Sequence, residues 1–266
     1  MLERIKVGPD GFIELDECMG SDASICRAAR VSYGQAGKQG DDRKLIRYLM
    51  RHNHTSPFEM AELKFIVRVP IDIWRQWVCH RTASINEYST RYREAIQSVA
   101  IPAASKWRFQ SKTNKQSSEG RISIGDGEEC QRDSAFAVVA CQRAYERMIA
   151  RGVAREQARS VLPLCTYTEA FWKIDLHNLM HFLRLRMAPE AQQEIREYAN
   201  AIHDLIEPLF PLTMQAFADY RLCSMQLTAL DIMAILERDW TGETIEDARE
   251  RREYLAKLET LKLGRG

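Results

Sequence analysis

The sequence lacks the features that mark several large classes of protein. Its 38 lysines and arginines are matched by 37 aspartates and glutamates, which leaves a net charge of +1. Proteins that coat nucleic acids carry a clear basic excess, so that class is not expected. The seven cysteines are odd in number and include no C-x-x-C pair, which predicts reduced thiols, no disulfide framework and a cytoplasmic location.

Long apolar runs and nucleotide-loop motifs are also missing. Residues 1–6 lack the continuous apolar core of a secretory signal peptide. The longest apolar run, residues 135–141, is far shorter than the ~20 residues that cross a bilayer. No G-x-G-x-x-G loop occurs, so a Rossmann dinucleotide site is not expected either. We therefore predict no membrane association.

The apolar pattern predicts a mixture of helices and strands. An apolar content of 45% is ample for a buried core. Because the elements do not alternate regularly as βαβ units, we predict a single α+β domain. Pro189 is expected in the first turn of a helix. Helices are predicted at residues 21–31, 41–52, 71–78, 128–151, 175–186, 190–209 and 243–262, and strands at residues 11–15, 63–69 and 166–174.

The richest segment for chemistry is residues 75–92. It holds three arginines, a histidine, a glutamate and four serine or threonine hydroxyls. Guanidinium groups bind phosphate or carboxylate, and the hydroxyls aim hydrogen bonds. The segment follows a predicted helix and is expected to continue as a loop. This mixture predicts a site for an anion and a base.

This segment resembles a known family signature. His80-Arg81-x-x-Ser84-x-Asn86-Glu87-x-Ser89-x-Arg91 is similar to R-H-R-x-x-S-x-N-E-x-S-x-R of the flavin-dependent thymidylate synthases, the ThyX type. Cys79 stands where the family has its first arginine, and every other fixed position matches. The resemblance extends from about residue 11 to residue 220. It includes His54-x-Ser56-Pro57-Phe58-Glu59, Ala158-Arg159-Ser160-Val161-Leu162-Pro163, Leu185-Arg186 and Gln192-x-Glu194.

The resemblance implies a fold, an activity and partners. The fold would be a helix-rich domain around a twisted mixed or antiparallel sheet, assembled as a homotetramer with active sites shared between subunits. The activity would be reductive methylation of uracil C5 in dUMP. Methylenetetrahydrofolate would supply the carbon, reduced FAD the hydride, and NADPH the electrons for the flavin. The catalytic domain would cover residues 1–220 with a polar loop at about 103–127, and residues 221–266 would be a helical extension.

The resemblance also implies roles for individual residues. Arg186 would be catalytic, because a guanidinium beside the pyrimidine favours ionisation at N3 and makes C5 nucleophilic. The residues implied in nucleotide binding are Gln76, Glu87, Ser89, Thr90, Arg91, Arg159 and Arg186. The residues implied in flavin binding are Ser32, His54, Ser56, Glu59, Cys79, His80, Arg81, Thr82, Glu87, Asp175, His177, His181 and Gln192.

Each of these roles has a structural alternative. Arg186 could cap the C-terminal end of its own helix, and any single arginine could simply face solvent. His177 and His181 are spaced i,i+4 but lack the glutamate of H-E-x-x-H and a third ligand, so no metal site is predicted. Both histidines, like Glu190, depart from residues seen in a relative. Flavin binding is therefore less firmly implied than nucleotide binding.

Four further alternatives stay open at this stage. The substrate could be the ribonucleotide UMP, or the chain could be an inactive nucleotide-binding relative. Cys79 could act as a nucleophile, although a simple loss of the arginine charge is favoured. A basic and aromatic cluster could bind RNA, but the balanced charge favours a lid over a folate or nicotinamide substrate. The cluster comprises Lys106, Trp107, Arg108, Phe109, Lys112 and Lys115.

Overall fold

The computed structural model describes residues 4–32, 34, 40–112 and 117–263. Lys115 of the basic and aromatic cluster lies outside the described residues. The chain divides into two compact units, Met1–Phe217 and Ala218–Gly266, which are described separately below. In the described part of the chain, no helix combines the length and the apolar character needed to cross a bilayer.

A five-stranded antiparallel sheet forms the centre of the first unit. Its strand order is β1-β2-β3-β7-β4, and a separate two-stranded ribbon pairs β5 with β6. This arrangement of an antiparallel sheet with surrounding helices confirms the predicted α+β class. The strands are β1 Arg4–Val7, β2 Gly11–Met19, β3 Glu62–Pro70, β4 Ser84–Glu87, β5 Phe109–Gln110, β6 Ser118–Glu119 and β7 Tyr167–Asp175.

Alternation along β3 and β7 explains which face of the sheet is covered. Leu63, Phe65 and Val67 occupy every second position of β3 and are buried. Successive side chains of a strand point to opposite faces, so these three face one core. Trp172 of β7 lies 5.8 Å from the Phe65 ring and 5.1 Å from the Trp77 ring, centroid to centroid. The aromatic cluster thereby anchors the helix that contains Trp77 against the sheet.

Helices pack around this sheet, and several begin at a residue whose side chain accepts a backbone hydrogen bond. Ser21, Asp41 and Asp175 are such N-caps. The helices of the first unit are α1 Asp22–Val31, α2 Asp42–Arg51, α3 Ser56–Glu59, α4 Ile71–Trp77, α5 Ile124–Ala150, α6 Arg155–Ala158, α7 Leu176–Arg186, α8 Gln193–Ile206 and α9 Pro211–Phe217.

Several predicted boundaries were wrong, among them the end of β2, at Met19 instead of residue 15, and the start of the last helix, at Ala248 instead of residue 243. β4 was predicted as a loop, but it pairs with the exposed edge of β7, with Ser84 opposite Lys173 and Glu87 opposite Ala170. Pro189 lies outside any helix, because α8 begins only after Gln192. The helix predicted from residue 128 begins four residues earlier, where Ser123 accepts from the Asp126 amide. The polar loop therefore covers residues 103–123.

The described residues of the second unit form a π-helix, Ala218–Leu222, and two α-helices, α10 Ala229–Leu236 and α11 Ala248–Leu261. A small core of Ala234, Ile245, Tyr254 and Leu258 joins them. Lys257 donates to the buried Asp231 carboxylate at 2.6 Å, which fixes the pairing of the two helices.

Candidate active site

A cleft of about 330 Å³ follows α7, from Ile174 and Asn178 near the N-terminal end of the helix to Arg186 at its C-terminal end. One wall is the segment after α4, residues 79–82, and the other is a face of α7 that includes His181 and Arg186. The described residues that line the cleft include two arginines and no carboxylate. Such a lining favours anionic or electron-rich ligands. We call this the α4–α7 cleft.

Arg186 is fixed in the cleft by two acceptors. Its Nε donates to Nε2 of His80 at 2.9 Å, and its Nη2 donates to the backbone carbonyl of Gln76 at 3.1 Å. That carbonyl belongs to the last turn of α4, so Arg186 caps α4 and not its own helix. Partial burial lowers the pKa of the Arg186 guanidinium. Among the described residues, no carboxylate pairs with it.

His80 is neutral in this arrangement. Burial, then the adjacent Arg186 and His181, lower the pKa of His80 from 6.5 to about 4. The Arg186 hydrogen bond requires a lone pair on Nε2, so the proton of the neutral ring is on Nδ1. The His80 ring also packs on Phe182 at 4.9 Å between centroids. The imidazole therefore orients Arg186 without adding charge to the cleft.

Gln76 connects the cleft to the start of α8. Its Nε2 donates to Oε1 of Gln192 at 2.5 Å. The same residue supplies the backbone carbonyl that holds Arg186. The structure thus brings Gln76, His80, Arg186 and Gln192 together, although the sequence interpretation had divided them between nucleotide and flavin.

The remaining residues implied in nucleotide binding form a second group. Both carboxylate oxygens of Glu87 are engaged: Trp74 Nε1 donates at 3.0 Å and Thr168 Oγ1 at 2.7 Å. Arg159 Nη1 donates to Thr90 Oγ1 at 3.2 Å. The backbone amide of Arg91 donates to Ser89 Oγ at 3.4 Å, which closes a tight turn. We call Ser89, Thr90, Arg91 and Arg159 the hydroxyl–arginine cluster.

The residues implied in flavin binding fall into two separate groups on one chain. Cys79, His80, Arg81, Thr82 and His181 line the α4–α7 cleft. The others, apart from Glu87 and Gln192, form a second set outside this lining. That second set contains Ser32 at the end of α1, His54 before α3, Ser56 and Glu59 in α3, and Asp175 and His177 at the start of α7.

Asp175 already has a structural task in this second set. Its Oδ1 accepts from the Asn178 backbone amide at 2.9 Å, and its Oδ2 accepts from the Asn178 side chain at 2.7 Å. It is therefore the N-cap of α7. Ser32, His54 and Ser56 are exposed, and no described core contact occupies their side chains.

Several residues that shape the site were not found by sequence reasoning. Trp74 and Thr168 hold the Glu87 carboxylate, yet an aromatic residue in a helix and a threonine in a strand are typical of any core. Asn178 and Leu185 line the cleft because they share the face of α7 with His181. Helical spacing from His181, at i−3 and i+4, could have identified both of these.

The lining is suited to a flavin but not, among the described residues, to a metal ion. The α4–α7 cleft offers guanidinium, hydroxyl, amide and imidazole groups, which serve the phosphates and ring edge of a flavin. In the described part of the chain, no group of three or more histidines, cysteines, aspartates or glutamates is placed to hold a metal.

Comparisons with known proteins agree with this geometry. The family model for thymidylate synthase complementing protein, Thy1, matches residues 14–212. A flavin-dependent thymidylate synthase from Dictyostelium discoideum is 48% identical to this chain, over 81% of this chain and 71% of the relative. One from Thermus thermophilus is 47% identical, over 87% of this chain and 84% of the relative. The crystal structure of the UMP/dUMP methylase PolB from Streptomyces cacaoi, bound with 5-Br dUMP, superposes with a TM-score of 0.74 at 35% identity, covering 82% of this chain and 99% of PolB. A second PolB structure, bound with 5-Br UMP, has the same TM-score. The family match spans most of the chain and the relatives align over most of their own length, so this chain belongs to the flavin-dependent thymidylate synthase family.

Proposed function

We propose that this enzyme methylates C5 of a uridine monophosphate, converting dUMP to dTMP. Methylenetetrahydrofolate is the carbon donor and NADPH is the reductant. When bound, FAD supplies the hydride that completes the methyl group. The chain's own residues bind, orient and polarise the pyrimidine.

The observation that carries this proposal is the state of Arg186. It is partly buried, is held at two points and has no carboxylate partner among the described residues. Two of the five guanidinium N–H groups are used, which leaves donors for a pyrimidine oxygen or an ionised N3. A guanidinium placed there stabilises the negative charge that makes C5 nucleophilic.

We assign phosphate binding to the hydroxyl–arginine cluster. Arg91 and Arg159 are exposed and adjacent to two hydroxyls, which supplies charge-assisted bonds for a phosphate monoester. Arg91 lies 3.8 Å from the Glu156 carboxylate, both side chains being more than half exposed. A surface ion pair of this kind is weak, so phosphate can displace it.

We assign flavin binding to the implied residues in the α4–α7 cleft and to the second set outside it. Arg81, Thr82 and His181 are exposed in the cleft, and Ser32, His54 and Ser56 are exposed outside it. We also infer a homotetramer in which neighbouring subunits complete each site, as the family resemblance implies. All assigned residues fall between positions 32 and 192, which supports a catalytic domain over residues 1–220 and an accessory helical extension over residues 221–266.

UMP is the second candidate substrate. PolB is described as a UMP/dUMP methylase, and its structures contain a brominated form of each nucleotide. The two nucleotides differ only at the ribose 2′ position, which none of the assigned contacts addresses. Relative activity on UMP and dUMP is therefore the discriminating quantity.

The first test is flavin reconstitution followed by NADPH oxidation. We expect the purified protein to bind FAD without a covalent bond and to oxidise NADPH faster when a uridine nucleotide is present, because the nucleotide completes the site. A protein that gains no flavin absorption on reconstitution would contradict the proposal.

A further inference from the structure

The described part of the polar loop, residues 103–112 and 117–123, borders a second cavity of about 830 Å³. Other residues that line this cavity include Asp72 and Ile73 of α4 and Gln192, Gln193 and Glu194 at the start of α8. Near its start the loop packs on α5, where the Ala104 amide donates to Gln131 Oε1 at 3.1 Å. Side-chain hydrogen bonds also join the loop to the start of α8.

Arg108 supplies most of those contacts. Its Nε donates to Ser118 Oγ at 2.7 Å, and its Nη1 donates to the Lys106 carbonyl at 3.3 Å and to Gln193 Oε1 at 3.1 Å. Its Nη2 donates to both carboxylate oxygens of Glu194, at 2.7 and 3.0 Å. The side chain of Arg108 is only 18% exposed, so this pair is less screened than a surface ion pair.

The first turn of α8 has no side-chain N-cap of its own. Gln192 occupies the N-cap position without making a capping hydrogen bond. The turn is instead held by hydrogen bonds from Arg108 of the polar loop to the side chains of Gln193 and Glu194. Hydrogen bonding to Arg108 also lowers the pKa of Glu194, against the opposing effect of burial.

Gln192 is the point where this turn reaches the substrate site. Its side chain accepts from Gln76, and the Gln76 carbonyl holds the Arg186 guanidinium. One chain of contacts therefore leads from the polar loop to the pyrimidine side of the α4–α7 cleft. It runs from Arg108 through the first turn of α8 to Gln192, then to Gln76 and Arg186.

We propose that Arg108 is a positioning residue for the uridine nucleotide, acting through the first turn of α8 on Gln192, Gln76 and Arg186. The residue does not touch the nucleotide. It sets the place of Gln192 and, through it, the place of the guanidinium that polarises the pyrimidine. This inference rests on the proposed function, because it assumes that a uridine nucleotide binds beside Arg186.

The test is a double-mutant cycle on nucleotide affinity. The dissociation constants of dUMP and UMP are measured calorimetrically on the flavin-loaded protein for wild type, Arg108→Ala, Gln192→Ala and the double variant. Lys44→Ala is the control, since it removes an ion pair with Asp41 from the surface of α2, which packs on α1 and α9. Flavin content and Tm are recorded for every variant.

We expect each single substitution to weaken nucleotide binding by about tenfold, within the range found for coupled positions. Two independent tenfold losses would weaken nucleotide binding by about a hundredfold in the double variant. Because both substitutions act through one path, we expect its nucleotide binding to be weakened by no more than about twentyfold. Lys44→Ala should bind the nucleotide as tightly as wild type does. Arg108→Lys should recover part of the loss, since an ammonium keeps one contact to Glu194 but not the forked set.

The outcomes separate the two claims. The positioning role alone is overturned if Arg108→Ala binds the nucleotide as tightly as wild type. It is also overturned if the loss of affinity in the double variant equals the product of the two single losses. A wild-type protein that binds neither dUMP nor UMP overturns both the positioning role and the proposed function. If Arg108→Ala loses its flavin or its fold, the same cycle is run with Arg108→Lys and Glu194→Gln, and additivity there overturns the positioning role.

Discussion

Arg186 is the side chain that we propose stabilises the negative charge on the pyrimidine. Its partners, His80 and the Gln76 carbonyl, are both neutral, so its positive charge is not cancelled. We expect Arg186→Ala to lower kcat for methyl transfer by about 10²–10³-fold, the usual loss for one electrostatic donor. NADPH oxidation and flavin content should be largely retained.

Arg186→Lys should fail in a similar way, because an ammonium cannot reproduce the planar fork. Arg184→Ala is the matched control, since Arg184 is exposed on the same helix. Near-normal product formation by Arg186→Ala would show that the assigned role is wrong.

The protonation state of His80 provides a second test. Its pKa in the folded protein is lowered from 6.5 to about 4. The neutral ring therefore stabilises the fold fully above pH 6.5, and this contribution is lost as the pH falls from 6.5 through about 4.

An NMR titration of the ring protons should give a midpoint near 4. In Arg186→Gln the midpoint should rise only part of the way to 6.5, because burial, the larger cause, remains. A midpoint near 6.5 in wild type would contradict the geometry.

Cys79 is the position where we expect, from the resemblance, a departure from the family signature. The thiol is exposed, and its sulfur donates to the Arg75 carbonyl at 3.3 Å. A serine hydroxyl can make the same bond, so Cys79→Ser should keep methylation within about tenfold, a barrier change of ~1.4 kcal/mol or less. Cys79→Arg should also remain active. Loss of activity in Cys79→Ser, with a nucleotide adduct on Cys79 found by mass spectrometry, would establish a nucleophile instead.

At the scale of elements, a buried carboxylate joins two helices that are far apart in sequence. Asp22, in the first turn of α1, accepts from the Leu212 and Thr213 amides at 2.8 and 3.1 Å and from Thr213 Oγ1 at 2.6 Å. It therefore caps the N-terminal end of α9. Asp22→Ala should lower the free energy of unfolding by roughly 3 kcal/mol, because two buried amides lose their acceptor.

Thr213→Val serves as the graded comparison, since it removes only the hydroxyl bond and should lower that free energy by about 1 kcal/mol. Urea denaturation measures both variants. Equal losses for the two variants would mean that the backbone capping bonds contribute nothing.

Most helices could be predicted because their signals are local. Ser21 and Asp41 cap α1 and α2 as their positions in the sequence indicate. β4 could not be predicted, because all four of its residues are exposed and its pairing partner lies more than 80 positions away in β7. The start of α8 was misplaced for a related reason: the contact from Arg108, and not a local cap or proline, holds that end.

At the scale of the whole molecule, resemblance could name site residues but could not show which of them meet. Arg186 and His80 are 106 positions apart, and Gln76 and Gln192 are 116 apart. These contacts depend on how α4, α7 and α8 pack, which no local pattern specifies. The same packing brings only some of the predicted flavin residues into the α4–α7 cleft.

The central claim is that the enzyme transfers a one-carbon unit to uracil C5, and product formation tests it most directly. Flavin-loaded protein is incubated with methylenetetrahydrofolate, NADPH and either dUMP or UMP, and the nucleotides are separated and weighed by mass spectrometry. We predict a product heavier by one methyl group from dUMP, dependent on both the folate and NADPH, and we expect the UMP reaction to show whether the ribonucleotide is also accepted. Absence of a methylated product from both nucleotides, in protein that binds flavin, would contradict the account.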